Sequence, residues 1–446
     1  MDKNQLSRRN FLGKSALIGA AGVIGINALA SCTKNTKEVD YEFPPLLDQA
    51  PDGKALRAGL VGCGNRGTGA ALNFLAAGHD LHLVALADVF EDKVWDSRDK
   101  LLKQRVEVPE KNCFWGFDAY KKLLEVDLDI VILATPPHFR PEHFDAAVQA
   151  KKHVFLEKPV CVDPVGARQI MATAKKAENL GLTVITGTQR RHQRDYLETY
   201  RQVAAGAIGE LKSAKAYWLQ SHVWFRTREE GWSDMEYMLR NWNNFCWLSG
   251  DHILDTHVHN IDIINWFMGK HPVEAIGFGG RAHRLTGDQY DFFSVDFDFG
   301  DGIFSHSFSR QMDGCANQLG EQIVGTEGYT NCKNTIYNFD GSVKWTYDYP
   351  KDENGRSTGV VKVSPYIQEH IHLVTSIRTN KPVVEAERTA ISTLTAIMGR
   401  TSAYTGQKVT WEDMMTSTER LGPTKYEMGP VDMEFPVPVP GRAHKV

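Results

Sequence analysis

The segment Leu56-Arg57-Ala58-Gly59-Leu60-Val61-Gly62-Cys63-Gly64-Asn65-Arg66-Gly67 decides the fold. An apolar run short enough for a buried strand leads into G-x-G-x-x-G, and helical periodicity resumes over 68–77. Glycines are required at such a junction because the turn is tight and the backbone must approach a pyrophosphate closely, while the helix start offers free N–H groups and a positive dipole. Asp88, 21 residues beyond Gly67, closes the next apolar run. A carboxylate there can accept hydrogen bonds from both ribose hydroxyls of an adenosine and would repel a 2′-phosphate. Its neighbours Val89 and Phe90 bring no arginine, so NAD is expected ahead of NADP, with Gly62, Gly64, Asn65, Arg66, Gly67 and Asp88 around it.

Outward from this segment, strand-like runs at 56–61, 81–87, 128–134, 153–156 and 182–186 alternate with helical stretches at 68–77, 119–125, 141–150 and 165–180. That alternation is the mark of an α/β doubly wound parallel sheet, assigned to 54–187. Past Gly187 the texture changes. Runs at 214–219, 292–299 and 303–308, separated by long irregular stretches, predict a second α+β domain over 188–411 with a largely antiparallel or mixed sheet. The stretch 366–404 is helical and suited to packing on either domain, and 412–446 reads as a C-terminal tail.

With 42% hydrophobic and 24% charged residues, the 446-residue chain is neither disordered, collagen-like nor disulfide-stapled. Residues 1–31 carry four basic residues against Asp2, net +3, which leaves −7 for the rest of a chain whose total is −4. Such a body lacks the electrostatic footprint of a nucleic-acid binder. Ser7-Arg8-Arg9-Asn10-Phe11-Leu12 resembles a twin-arginine export motif, and the apolar run that follows is too short and glycine-interrupted to span a bilayer comfortably. It ends Leu29-Ala30-Ser31-Cys32, similar to a bacterial lipobox whose cysteine becomes the lipidated first residue. The expectation is a periplasmic protein, exported folded and touching the membrane only through a lipid on Cys32, with 32–53 as linker. Folded export implies that a cofactor is held tightly. The six further cysteines show no metal-ligand spacing and are expected to be buried free thiols.

Two runs end at the edge of a parallel sheet where ligands bind: Ala134-Thr135-Pro136-Pro137-His138 and Glu157-Lys158-Pro159. Thr135, Pro136, His138, Glu157 and Lys158 are therefore cofactor-side candidates, and Lys158 could hydrogen-bond a sugar hydroxyl beside the nicotinamide. Farther on, Gly250-Asp251-His252-Ile253-Leu254-Asp255-Thr256-His257-Val258-His259-Asn260-Ile261-Asp262 is the densest cluster of ionisable residues. As a strand it would align Asp255, His257 and His259 like an H-x-H metal site. As a helix it would set Asp255 and His259 at i and i+4, so that the carboxylate orients an imidazole taking a proton from an alcohol. Apolar Leu254, Val258, Ile261, Ile264 and Met268 favour the helix, and no metal is expected. Gln189, Arg191 and His192, past the strand-like run at 182–186, are placed to reach substrate, Arg191 being equally suited to an ion pair at the domain junction. The tryptophans of 232–247 suit sugar stacking or a core.

These features occur in an order that resembles the Gfo/Idh/MocA oxidoreductases, from about Leu56 to Trp411. The resemblance rests on the glycine fingerprint, on Glu157-Lys158-Pro159, on Gly250, Asp255, His259 and Asp262 in G-x-x-x-x-D-x-x-x-H-x-x-D, and on the ending Tyr404-Thr405-Gly406-Gln407-Lys408-Val409-Thr410-Trp411. It implies a Rossmann domain plus an open-faced sheet domain, frequent homo-oligomers, and Lys158, Asp255 and His259 as the catalytic group. His259, assisted by Asp255, would remove the proton from a secondary hydroxyl of a pyranose, with C3 the expected position, as hydride passes to NAD, with Lys158 holding that hydroxyl.

Outside the cytoplasm a tightly held NAD must be restored within the cycle. An oxidoreductase with a second carbonyl substrate, as in glucose–fructose oxidoreductase relatives, meets that condition. So does a glycosidase of the glycoside hydrolase family 109 kind, which oxidises C3, eliminates, hydrates and reduces again. Thr256-His257-Val258 resembles the T-H-G element of those glycosidases and makes His257 a substrate candidate, but the Tyr-Pro before it is absent. A non-catalytic sugar-binding lipoprotein is opposed by the intact Lys158, Asp255 and His259.

Overall fold

The computed structural model describes residues 45–442. The stretch expected to be an export leader, the cysteine expected to be lipidated, Cys32, and the start of the expected linker lie outside the described residues. Strands β1 (Leu56–Val61), β2 (Leu81–Asp88), β3 (Cys113–Trp115), β4 (Ile130–Leu133), β5 (His153–Leu156) and β6 (Val184–Thr186) form a parallel sheet in the order β3-β2-β1-β4-β5-β6. Helices cover both faces, which is why β4 reads as an unbroken apolar run and β1, β5 and β6 as short, largely apolar ones. The order reverses between β1 and β4, and the strand ends there open the crevice where ligands of such sheets sit.

The second sheet comprises β7 (Leu211–Gln220), β8 (Glu274–Gly280), β9 (Phe292–Asp298), β10 (Phe304–Gln311), β11 (Gln318–Gly325), β12 (Tyr329–Thr330), β13 (Thr335–Tyr337), β14 (Val343–Thr346) and β15 (Val409–Thr410). Its order is β14-β13-β12-β11-β7-β10-β9-β8-β15, antiparallel except where β7 runs parallel to β10. The inner face, carrying Ala214, Ala216, Val295, Phe297 and Ile323, is covered by helices Val258–Met268 and Ala386–Thr405. The outer face leaves Ile276, Phe278 and Phe304 exposed.

The division expected at residue 187 is crossed by the chain. Helix Pro365–Arg378 returns to the first sheet, where Ile371, Leu373 and Val374 share a core with Ile130, Ile132 and Phe155. Helix Ala386–Thr405 packs between helix Pro164–Asn179 and strands β8 and β9. The expected C-terminal tail is also built into the body as far as it is described. Leu421, Tyr426, Val431 and Phe435 lie on Met235, Met238, Leu239, Phe245 and Trp247, and Leu421 N donates to Asp163 Oδ2 at 2.9 Å. Of the six cysteines past Cys32, five are buried free thiols and Cys315, expected buried, is exposed. No helix among the described residues is long and apolar enough to cross a membrane.

Candidate active site

A cleft of about 720 Å³ opens over the glycine turn. Its floor requires glycine at two positions. A Cβ on Gly67 would lie 1.8 Å from the carbonyl oxygen of Gly62, and Gly62, at φ +99°, has the backbone of Ala134 and Thr135 within 2.6–2.8 Å of where its own Cβ would be. Above Gly64 the space is open. Helix Asn65–Leu75 starts there with no side-chain cap and no acidic residue in its first turn, so its leading N–H groups are available to an anion. Asp88 Oδ2 accepts from Cys63 N at 2.7 Å and Oδ1 from Phe90 N at 3.0 Å, which fixes the carboxylate at the cleft wall, where burial pushes its pKa up. Thr135 and Pro136 line the cleft beside Phe139 and His143. An anionic dinucleotide with an adenosine ribose against Asp88 fits this donor set.

At the edge of the cleft Arg66 turns toward β5. Its guanidinium bonds Glu157, reaches Glu369 at 3.0 Å and lies 5.0 Å over the ring of Tyr366. Glu157 fits because Gly187 has no side chain: a Cβ there would be 2.5 Å from the carboxylate. The wholly buried Arg140 holds the turn after β5. It donates to the carbonyls of Thr135 (2.8 Å) and Glu157 (3.0 Å) and to that of Pro159, bracing the loops that follow β4 and β5 and thereby aiming Lys158.

The Lys158 ammonium donates to the backbone carbonyl of Asp255. That carbonyl is available because the helix expected through the Asp255…His259 segment is interrupted. Helix His252–Asp255 ends, the N–H of His257 reaches back to the His252 carbonyl at 3.1 Å, and a second helix begins at Val258. Asp255 and His259 consequently do not sit at i and i+4 of one helix, and among the described residues no hydrogen bond joins their side chains. His259 lies near Lys158, Arg190 and Arg66, and its ring stacks on Trp218 at 5.9 Å between centroids. Burial first, and then these three cations, hold its pKa well below the ordinary histidine value, so the imidazole is neutral and free to accept a proton. Burial also lowers the pKa of Lys158, with Asp255 and Glu157 opposing.

Several expected residues are sorted away from this group. His257 is fully buried, its Nε2 2.7 Å from Ser307 Oγ on the inner face of β10, so it faces the sheet and not a substrate. Asp251 and His252 are likewise structural: His252 Nδ1 meets Asp251 Oδ1 at 3.0 Å, and Asp251 accepts from Tyr290 N at 2.9 Å and from the Tyr404 hydroxyl. Arg191 makes two 2.8 Å bonds to the Asp262 carboxylate, the junction ion pair rather than a substrate contact. His192 is buried with its Nδ1 2.6 Å from His372 Nδ1. His138 turns out of the cleft into a small cavity, 2.7 Å from the Tyr426 hydroxyl and edge-on to Trp247, because the C-terminal segment covers it there. Burial lowers its pKa to about 3. Gln189 does stay near the site, 3.5 Å from the Tyr366 hydroxyl with its buried Oε1 unpartnered.

Sequence reasoning missed Arg190, the neighbour of the arginine it chose. Arg190 bonds Glu321 on β11 and lies 5.3 Å over the ring of Trp218, adding positive charge beside His259. The one-turn 3-10 helix Gln189–His192 sends successive side chains in different directions, and nothing in Arg190-Arg191 says which faces the crevice. Trp224 and Trp242 line the dinucleotide cleft, and Trp247 is core.

The architecture is thus a dinucleotide-binding Rossmann domain joined to a mixed-sheet domain, with a lysine–histidine group at their junction. Residues 56–186 match the oxidoreductase family with an NAD-binding Rossmann fold, and residues 196–330 match the GFO/IDH/MocA C-terminal domain. The chain belongs to this family. It is 22% identical to scyllo-inositol 2-dehydrogenase (NAD(+)) of Bacillus subtilis over 61% of this chain and 72% of that protein. It is 27% identical to D-glucoside 3-dehydrogenase of Escherichia coli over 52% and 59% of the two chains. It is also 26% identical to a glycosyl hydrolase family 109 protein of Shewanella pealeana over 49% and 47%. The matches to the last two span about half of those proteins' lengths. In fold it resembles scyllo-inositol dehydrogenase of Lactobacillus casei solved with NAD(H) and scyllo-inositol, with a TM-score of 0.59 at 20% identity over 80% of this chain and 99% of that one.

Proposed function

We propose that the protein is an NAD-dependent oxidoreductase that takes hydride from a secondary hydroxyl of a pyranose sugar or glycoside, at C3. The observation that carries this reading is the Lys158 ammonium fixed on the Asp255 carbonyl beside a neutral, buried His259, at the carboxyl edge of β5. NAD, when bound, supplies the hydride acceptor. Lys158 has further N–H donors for the reacting oxygen and favours its developing negative charge, while His259 takes the hydroxyl proton. Asp255 holds Lys158 through its backbone and contributes negative charge nearby. Gln189 lies by the Tyr366 hydroxyl and Arg190 adds positive charge beside His259. The E. coli glucoside 3-dehydrogenase relative supports position C3.

NAD is held tightly and restored within the cycle by a second carbonyl substrate, consistent with a leader that resembles a twin-arginine lipoprotein signal and with a periplasmic, lipid-anchored protein. Ile276, Phe278 and Phe304 on the outer sheet face support a homo-oligomer. The family 109 relatives favour a second reading, a glycosidase working by transient C3 oxidation, but His257, which would serve it, is committed to Ser307.

The test is to purify the protein without its leader, measure bound NAD by absorbance, and incubate it with natural and p-nitrophenyl glycosides without added cofactor. A product two mass units lighter, formed only with a carbonyl acceptor, supports the oxidoreductase. Free sugar and aglycone without net oxidation support the glycosidase.

A further inference from the structure

The wall of the cleft facing the glycine turn does not come from the Rossmann domain. It is made by Trp224, Phe225 and Arg226 from an extended run, and by Leu239, Arg240 and Trp242 at the end of helix Asp234–Arg240. The two pieces are tied together: Arg226 N donates to Asn241 Oδ1 at 2.8 Å, and Asn244 Nδ2 donates to the Trp224 carbonyl at 3.1 Å. One ion pair fastens them across the cleft mouth. Arg240 donates from both terminal nitrogens to the Asp92 carboxylate, at 2.9 and 3.1 Å, and its guanidinium lies 3.9 Å over the ring of Phe90. Phe90 and Asp92 lie two and four residues past Asp88, so the fastening stands at the end of the cleft assigned to the adenosine. From outside, the C-terminal segment braces the helix, with Met235 N donating to the Gly429 carbonyl at 3.1 Å and Leu421, Val431 and Phe435 in the same core.

The wall also carries ligand chemistry. Arg226 borders the cleft, and among the described residues its guanidinium has no hydrogen-bond or ion-pair partner. An unpaired guanidinium lining the same cleft as the leading N–H groups of helix Asn65–Leu75 suits the anionic phosphates of a dinucleotide. The Trp242 indole offers a flat apolar surface on the same wall.

We propose that residues 224–242 form a clasp on the adenosine half of NAD, with Arg226 and Trp242 as nucleotide contacts and Arg240–Asp92 as its latch, so that nucleotide leaves only when the latch opens. This deepens the reading of a resident cofactor and supplies its physical cause. Arg240 is largely buried and Asp92 about half exposed, and opening must break the bidentate bonds between them, so truncating either partner should raise the off-rate.

The test measures NAD release from the purified, NAD-loaded protein by dilution into excess etheno-NAD, without substrate. Arg240→Ala and Asp92→Ala should each speed release on the order of tenfold, and the double variant should release no faster than the faster single one, because both remove one latch. Arg226→Ala should weaken NAD binding while leaving the weak competition by adenosine, which lacks phosphates, unchanged. Release at the wild-type rate in both latch variants, or additive effects in the double variant, would overturn the clasp. If wild-type protein keeps no NAD through desalting, the resident-cofactor reading fails by itself. The clasp then stands or falls on whether Arg240→Ala and Asp92→Ala each weaken equilibrium NAD affinity, with the double variant no weaker than the weaker single one.

Discussion

Lys158 donates to the main-chain carbonyl of Asp255, not to its carboxylate. The carbonyl can accept because the helix stops at that residue, and the interruption at Thr256-His257 is therefore part of the site's construction. Removing the ammonium removes both the support for that interruption and the charge beside the reacting oxygen. Lys158→Met should lower single-turnover NAD reduction by roughly 100- to 10,000-fold while NAD stays bound, as read by stopped-flow absorbance of the loaded protein. Loss of nucleotide together with the rate would instead make Lys158 a cofactor-binding residue.

The two histidines at 257 and 259 should separate cleanly. His259→Ala is expected to depress the hydride-transfer step sharply without releasing NAD; an unchanged single-turnover rate would remove His259 from the chemistry. His257→Ala strands the Ser307 hydroxyl and leaves a buried gap, so it should cost about 1–3 kcal/mol in denaturant unfolding and spare the rate of the folded fraction.

Arg191 and Asp262 form a buried pair that Ser392 also bonds, its hydroxyl 2.7 Å from Asp262 Oδ1. Arg191→Ala leaves a buried carboxylate uncompensated and should destabilise the fold by about 3–5 kcal/mol. KM of whatever remains folded should stay near wild type, and a large KM increase at full stability would restore Arg191 to the substrate.

The pH profile of the single-turnover rate follows from two depressed pKa values. His259 must be neutral to accept a proton, and its pKa lies well below the ordinary 6.5, so the acid limb should fall below that value. Lys158 must be protonated, and burial lowers its pKa from 10.5, so the alkaline limb should come earlier than for an exposed lysine. The Asp255 charge raises the Lys158 pKa, and Asp255→Asn should therefore move the alkaline limb to still lower pH. An alkaline limb that stays put would show that the ammonium is not the titrating group.

Asp88 braces the glycine turn through Cys63 N and lines the cleft. Asp88→Ala should reduce NAD retained after desalting by tenfold or more, about 1.4 kcal/mol in affinity. Undiminished retention would mean that the fingerprint has another role.

The parallel sheet is legible in the sequence because β1, β4, β5 and β6 are largely buried and so appear as short, mostly apolar runs. The three-residue β3 is too short for any period. Helix Glu91–Lys103 buries only Val94, Ser97 and Leu101, which leaves too thin a stripe to read. Lys158 and His259 are legible as chemistry at strand and helix ends. What the sequence withholds is direction: His257 and His259 differ by two residues, yet one faces Ser307 and the other Trp218. Distant partners are equally hidden, since nothing local couples Arg240 to Asp92 or Tyr426 to His138.

Helix Pro365–Arg378 has a bearing on the order in which the molecule can be made. Ile130, Ile132, Phe155 and Ile185 of the first sheet are capped by Ile371, Leu373 and Val374, which the ribosome delivers nearly two hundred residues after β6. Domains ordinarily fold as they emerge, amino-terminal first. Here the nucleotide module waits half-clad through synthesis of eight of the nine strands of the second sheet, β7 to β14. A nascent chain cut short anywhere before Pro365 is accordingly expected to neither hold NAD nor resist protease, although every residue of the glycine turn is already present.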